Sequence, residues 1–154
     1  MSILVGPALH PAHLIPDLKS RSRDSVLGEL ARQAQGIDAT REPGMLRALL
    51  RMRERLGSTA VGNGFAVPNA RSLVVTRPVL LLGRSRRGVD WGGEGGVPVH
   101  VAVLVVSPAG MSAAYHVAAV ARVVAATRAA RARQRLFECD RPGEIAQLLE
   151  VAPG

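Results

Sequence analysis

Arg53-Glu54-Arg55-Leu56-Gly57-Ser58-Thr59-Ala60-Val61-Gly62-Asn63-Gly64-Phe65-Ala66-Val67-Pro68-Asn69-Ala70 compresses a helix end, two turns and a strand into one run. Gly57 stops the helix, and Gly62 and Gly64 supply the backbone freedom of a tight turn. Phe65–Val67 is a short apolar strand that Pro68 ends. Working upstream, Thr40-Arg41-Glu42-Pro43 opens a helix with proline in its first turn. Leu46, Leu49, Leu50, Arg53 and Leu56 share one face of it, and Arg47, Arg51 and Arg55 lie four apart on another. Before that, the spacing of Leu18, Val26, Leu27, Leu30, Ala31 and Ala34 predicts a helix within Asp17–Gln35, capped by Ser22 or Asp24 and stopped at Gly36.

Downstream of Ala70 the period shortens to that of strands. Leu73–Val75 and Val79–Leu82 flank Arg77-Pro78. Arg84–Gly96 is glycine-rich and reads as an exposed turn or short hairpin holding the sole tryptophan, Trp91. Val97–Val106, β-branched on both faces, is expected at the centre of a sheet. A helix from about Ser112 to Thr127 and one or two short closing helices, at Leu136–Cys139 and Pro142–Val151, complete the chain. Helices, then strands, then helices define an α/β (α+β) architecture with a mixed central sheet flanked by helices.

The 154 residues form one expected domain spanning 1–154, whose first 14 residues, broken by Pro7 and Pro11, read as irregular. A hydrophobic fraction of 47% excludes a disordered chain. The longest apolar run outside alanine-rich sequence, Val101–Val106, is far too short to span a bilayer. Met1–Pro16 lacks the Lys and Arg of a secretory signal. One cysteine, Cys139, leaves no internal disulfide, and the expected location is cytoplasmic. The net charge of +8 comes from 20 Lys+Arg against 12 Asp+Glu, and Lys19 is the single lysine. Phe65, Trp91, Tyr115 and Phe137 are scattered rather than interleaved with arginines, so the charge reads as solvated surface rather than a nucleic-acid interface. His10-x-x-His13 alone does not make a metal site, and no motif implies a cofactor.

The opening run resembles the enzyme IIA domains of the bacterial phosphoenolpyruvate-dependent phosphotransferase system, in the fructose/mannitol and nitrogen-regulatory class. That family typically shows R-E-x-x-x-S/T-T-x-x-G-x-G-I-A-I-P-H-A. Gly88-Val89-Asp90-Trp91 ahead of the Pro98–Val106 strand, and a helix opening with Tyr115-His116-Val117, extend the match from about Ile15 to Leu149. The resemblance implies a mixed sheet flanked by helices and a phosphoryl group carried on histidine. It implies protein partners too: an HPr-like carrier that donates the group, and a IIB domain, or a regulated kinase or transporter, that responds to it.

The family's acceptor is the histidine of Pro-His-Ala, and here that position is Asn69. Imidazole has a nucleophilic nitrogen lone pair, whereas a carboxamide nitrogen delocalises its own into the carbonyl. Asn69 can still donate and accept hydrogen bonds, so it can keep the pocket's shape while blocking transfer. By the same resemblance, His116 is the second histidine of the pocket, Arg53 the cation that neutralises a phosphoryl group, and Thr59 the hydroxyl facing the acceptor. Glu54 reads as a surface partner for Arg47, Arg51 or Arg55, and those three arginines as a docking stripe. The expected function is a degenerate, regulatory IIA-like domain that binds a protein and does not relay phosphate. The alternatives are a phosphocarrier using His116, and a sensor holding a phosphate-type anion among Arg53, Thr59, Asn69 and His116.

Overall fold

The computed structural model describes residues 10–92, 94–141 and 144. Among these residues, six strands form one mixed sheet: β1 (His10–Ile15), β2 (Ala60–Gly62), β3 (Phe65–Ala66), β4 (Asn69–Ser72), β5 (Val79–Val89) and β6 (Val99–Pro108). The order is β1-β5-β6-β3-β2, and β4 also pairs with β6, farther along the side that β3 occupies. β5 and β6 are antiparallel, β1 is parallel to β5, and β3 and β4 are parallel to β6. The expected mixed sheet, with Val97–Val106 at its centre, is what the chain forms.

Alternation along β5 and β6 builds two cores. Val79, Leu81, Ala102, Leu104 and Val106 face one side, under α1 (Arg23–Gly36) and α2 (Pro43–Leu56). Leu80, Leu82, Val101, Val103 and Val105 face the other, under α3 (Ala113–Arg128) and α4 (Ala130–Glu138). Ser22 caps α1 by accepting from the Ser25 amide, and Pro43 opens α2 at its first position. Gly62, Asn63 and Gly64 all have positive φ, at 92°, 57° and 84°, in the turn between β2 and β3. Only glycine and asparagine occupy that region at little cost.

Four local expectations are corrected. Residues 10–14 belong to a strand rather than an irregular segment; Pro11, which lacks an N–H, fits because β1 is an edge strand and its pairing is irregular between His10 and His13. The strand around Leu73 is instead β4, four residues earlier in start. Ser72 Oγ accepts from the Val74 amide at 3.2 Å and Ser72 O from Val75 N at 3.2 Å, so the chain turns there and Leu73 is exposed. Arg84–Val89 continues β5 instead of forming a turn, and Trp91 is buried in the α1/α2 core. On α2 the buried positions are Leu46, Leu50 and Glu54, so Leu56 faces solvent. The closing helix expected at residues 142–151 lies outside the described residues. Among the described residues, no helix is long and apolar enough to cross a membrane.

Candidate functional site

Asn69 opens β4 opposite Val105 of β6, on the face that carries α3. Two residues on from Val105, Ser107 points to the same side, and α3 begins six residues after that. Ser112 caps α3 by accepting from Tyr115 N at 3.1 Å, which brings His116, in the first turn, down over the strand ends. The result is a chain of three hydrogen bonds. Asn69 Nδ2 donates to Val67 O at 3.0 Å, Asn69 Oδ1 lies 3.2 Å from His116 Nε2, and His116 Nδ1 lies 2.9 Å from Ser107 Oγ.

The donors and acceptors of this chain assign themselves. Val67 O can only accept, so the Asn69 amide nitrogen faces it and the amide oxygen faces His116. An amide oxygen only accepts, so Nε2 of His116 carries the proton. In the neutral ring Nδ1 is then the acceptor, and the Ser107 hydroxyl donates to it. His116 and Ser107 are buried, while Asn69 is half-buried and forms the solvent side of the cluster. Burial lowers the His116 pKa below its ordinary 6.5, and the nearby positive charge of Arg71 lowers it further. The ring is therefore held neutral, with one lone pair delocalised at Nε2 and the other filled by Ser107.

The residues assigned to the site by resemblance divide. Asn69 and His116 meet; among the described residues, no hydrogen bond joins Arg53 or Thr59 to either. Arg53 Nη1 instead donates to Gly57 O at 2.8 Å and closes the end of α2. Thr59 is turned to the other side of the sheet by Glu54. One Glu54 oxygen accepts from the Thr59 amide at 3.0 Å and from Trp91 Nε1 at 3.1 Å, and the other accepts from the Thr59 hydroxyl. Glu54 is thus a buried anchor rather than a surface ion-pair partner. The arginine stripe is divided as well. Arg47 Nε donates to Asp24 O at 3.2 Å and Arg51 Nε lies 3.3 Å from the Asp24 carboxylate, so both tie α2 to α1; Arg55 alone is exposed.

Two site residues escaped the sequence reading. Arg71 follows Asn69 by two positions on β4, hence on the same face, and its guanidinium donates to Ala109 O at 3.0 Å. Its charge lowers the His116 pKa, which makes it a cation near His116 that the sequence did not single out. Ser107 was legible as the one hydroxyl directly after the apolar run Val101–Val106. Farther away, His100 Nδ1 lies 2.9 Å from Ser85 O at the opposite end of β6, in a structural setting. Among the described residues, no group of three or more His, Cys, Asp or Glu could hold a metal ion.

Residues 8–151 match the family described as "Phosphoenolpyruvate-dependent sugar phosphotransferase system, EIIA 2". The chain belongs to that family, as its opening motif implied. A nitrogen regulatory protein of Bradyrhizobium diazoefficiens is 34% identical over 113 residues, covering 73% of this chain and 72% of that one. The nitrogen regulatory protein IIA-Ntr of Neisseria meningitidis superposes with a TM-score of 0.79 at 23% identity, over 95% of this chain and 99% of its own. Enzyme IIA of the Escherichia coli mannitol system, solved in complex with phosphorylated enzyme IIB, gives 0.72 at 18% identity over 94% and 96% of the two chains. These likenesses in structure establish the fold.

Proposed function

We propose that this chain is a single IIA-type domain, spanning residues 1–154, that acts in the cytoplasm by binding a protein partner and does not relay phosphate. The observation that carries the reading is the closed hydrogen-bond chain Ser107–His116–Asn69. At the position where the family resemblance expects the acceptor histidine stands a carboxamide, which has no nucleophilic nitrogen. The neighbouring imidazole offers no free lone pair in place of it. A site so arranged keeps the neutral surface of an unphosphorylated IIA domain at all times.

The surroundings suit a protein rather than a small substrate. Leu73, at the end of β4, is 90% exposed, and Val117, next to His116, is 64% exposed. Exposed large apolar side chains supply the apolar core that a docking surface needs, and the polar groups beside them its rim. Arg71 adds a cation there. By kinship with the relatives above, the partner is an HPr-like carrier, a IIB domain, or a kinase or transporter regulated by the unphosphorylated form. The centre of docking on this reading is Leu73, Val117 and Arg71, not the stripe of Arg47, Arg51 and Arg55.

Incubation with a phosphorylated HPr-type carrier, followed by mass spectrometry under conditions that preserve phosphohistidine, tests the proposal. The wild-type chain is expected to remain unlabelled, and Asn69→His to take up label at residue 69. Stoichiometric label on His116 of the wild type would overturn it.

A further inference from the structure

The far end of the sheet from Asn69 carries a second feature. Arg84 of β5 faces Val101 of β6 and Val89 faces Val99, so His100 alone stands opposite Ser85, Arg86, Arg87 and Gly88. This is an enlarged β-bulge. Ser85 Oγ accepts from Gly88 N at 3.1 Å, and Gly88 has φ +86° with Pro98 packed against it so closely that a Cβ there would come within 2.8 Å. In a regular strand, consecutive side chains point to opposite faces. The bulge breaks that alternation, and Arg86 and Arg87 are both exposed.

The segment before α1 runs alongside. Leu18 N donates to Arg84 O at 2.8 Å, and the Glu29 carboxylate holds the amides of Lys19 and Ser20 at 3.1–3.2 Å. Between the two segments lies a groove of about 440 Å³ whose lining includes Lys19, Arg21, Arg86 and Arg87. Among the described residues Asp17 is the one acidic residue in its lining, and none of the four cations has an ion-pair partner. Four unpaired like charges around one concavity repel each other and focus a positive field into it.

We infer that this groove binds a small anion bearing two or more linked phosphates. The cations stand on two separate segments, Lys19 and Arg21 on one and Arg86 and Arg87 on the other, and a chain of phosphates offers each side an anionic group of its own. Among the described residues no aromatic side chain lines the groove, so none offers a face on which nucleic-acid bases could stack, and the phosphate chain is the recognised part. The groove sits at the start of β6 and the Ser107–His116–Asn69 cluster at its end, roughly 20 Å away at a strand's rise per residue. The inference is independent of the function proposed above.

Calorimetric titration of the whole chain with inorganic tripolyphosphate tests it. The wild type is expected to bind, with affinity that falls as salt rises. The double variant Arg86→Gln/Arg87→Gln should lose at least tenfold in affinity while its ligand-free melting temperature is unchanged, and Asn69→His should bind as the wild type does. Three results would overturn the inference: no binding by the wild type, undiminished binding by the double variant, or a loss of binding in Asn69→His instead. Binding of an acidic peptide or of DNA, with tripolyphosphate ineffective, would overturn it as well.

Discussion

Two polar clusters lie on opposite faces of the same sheet, and what closes them differs. Beneath α2, the Glu54 carboxyl gathers three donors, from Thr59 and Trp91, in a setting sealed from solvent. Beneath α3, a neutral imidazole is held between a serine hydroxyl and an amide, and the amide reaches solvent. The first cluster uses Glu54 and Thr59, from the most recognisable part of the sequence motif, to fix the α2–β2 connection. The second takes Asn69 from the end of that motif and draws His116 and Ser107 from distant segments. Residues adjacent in a motif therefore serve different faces, one architectural and one chemical.

The division can be attacked where it matters most for stability. Glu54→Ala leaves the Trp91 Nε1–H, the Thr59 amide and the Thr59 hydroxyl without their acceptor in a dry site, and a loss of about 3 kcal/mol in urea unfolding is expected. A loss below about 1 kcal/mol would show that the cluster under α2 is not an anchor.

The cluster under α3 is sharpened by pH. The folded state holds His116 at a lowered pKa, so on acidification the unfolded chain takes up a proton that the native ring refuses. Stability from this group is complete above the ordinary imidazole pKa of about 6.5 and declines as pH falls through it, with a slope of at most about 1.4 kcal/mol per pH unit. His116→Gln is expected to flatten that part of the stability profile. An unchanged profile would mean that the imidazole is not held neutral by its surroundings.

The smallest effect is expected at Arg53, whose one hydrogen bond closes a helix end near solvent. Arg53→Ala should change stability by no more than about 0.5 kcal/mol and leave Asn69→His as readily labelled as before. Loss of labelling in the double variant would return Arg53 to the site.

The fold was legible because its signals are local. The helical spacing of α1 and α2, the β-branched run of β6 and the Gly62-Asn63-Gly64 turn each identify themselves over a few residues. Asn69 and His116 were legible only through their places in a family pattern. Their mutual contact depends on β4 and β6 pairing in one register, which neither segment specifies alone. Thr59 and Arg53 hydrogen-bond elsewhere than to Asn69 or His116 for a related reason. Helical spacing puts Arg53 near an apolar face, but a helix end can satisfy a guanidinium with its own last carbonyls, and that option is invisible in the pattern. Trp91 was misread because glycines on both sides suggest exposure, whereas its indole is held by Glu54, 37 residues earlier.

Arg84 sets a schedule for the chain's assembly. Its guanidinium donates to Phe137 O and Cys139 O, both at 2.8 Å, and to Pro16 O at 3.4 Å, so one side chain in the middle of the sequence fastens the end of β1 and the end of α4. During synthesis β1 emerges first but must wait for β5 before it has a partner, and α4 cannot be clamped until both are in place. Pairings this distant along the chain are slow to close. The contacts between α1 and α2 are closer in sequence than those of α4, whose clamp needs Arg84 in place first.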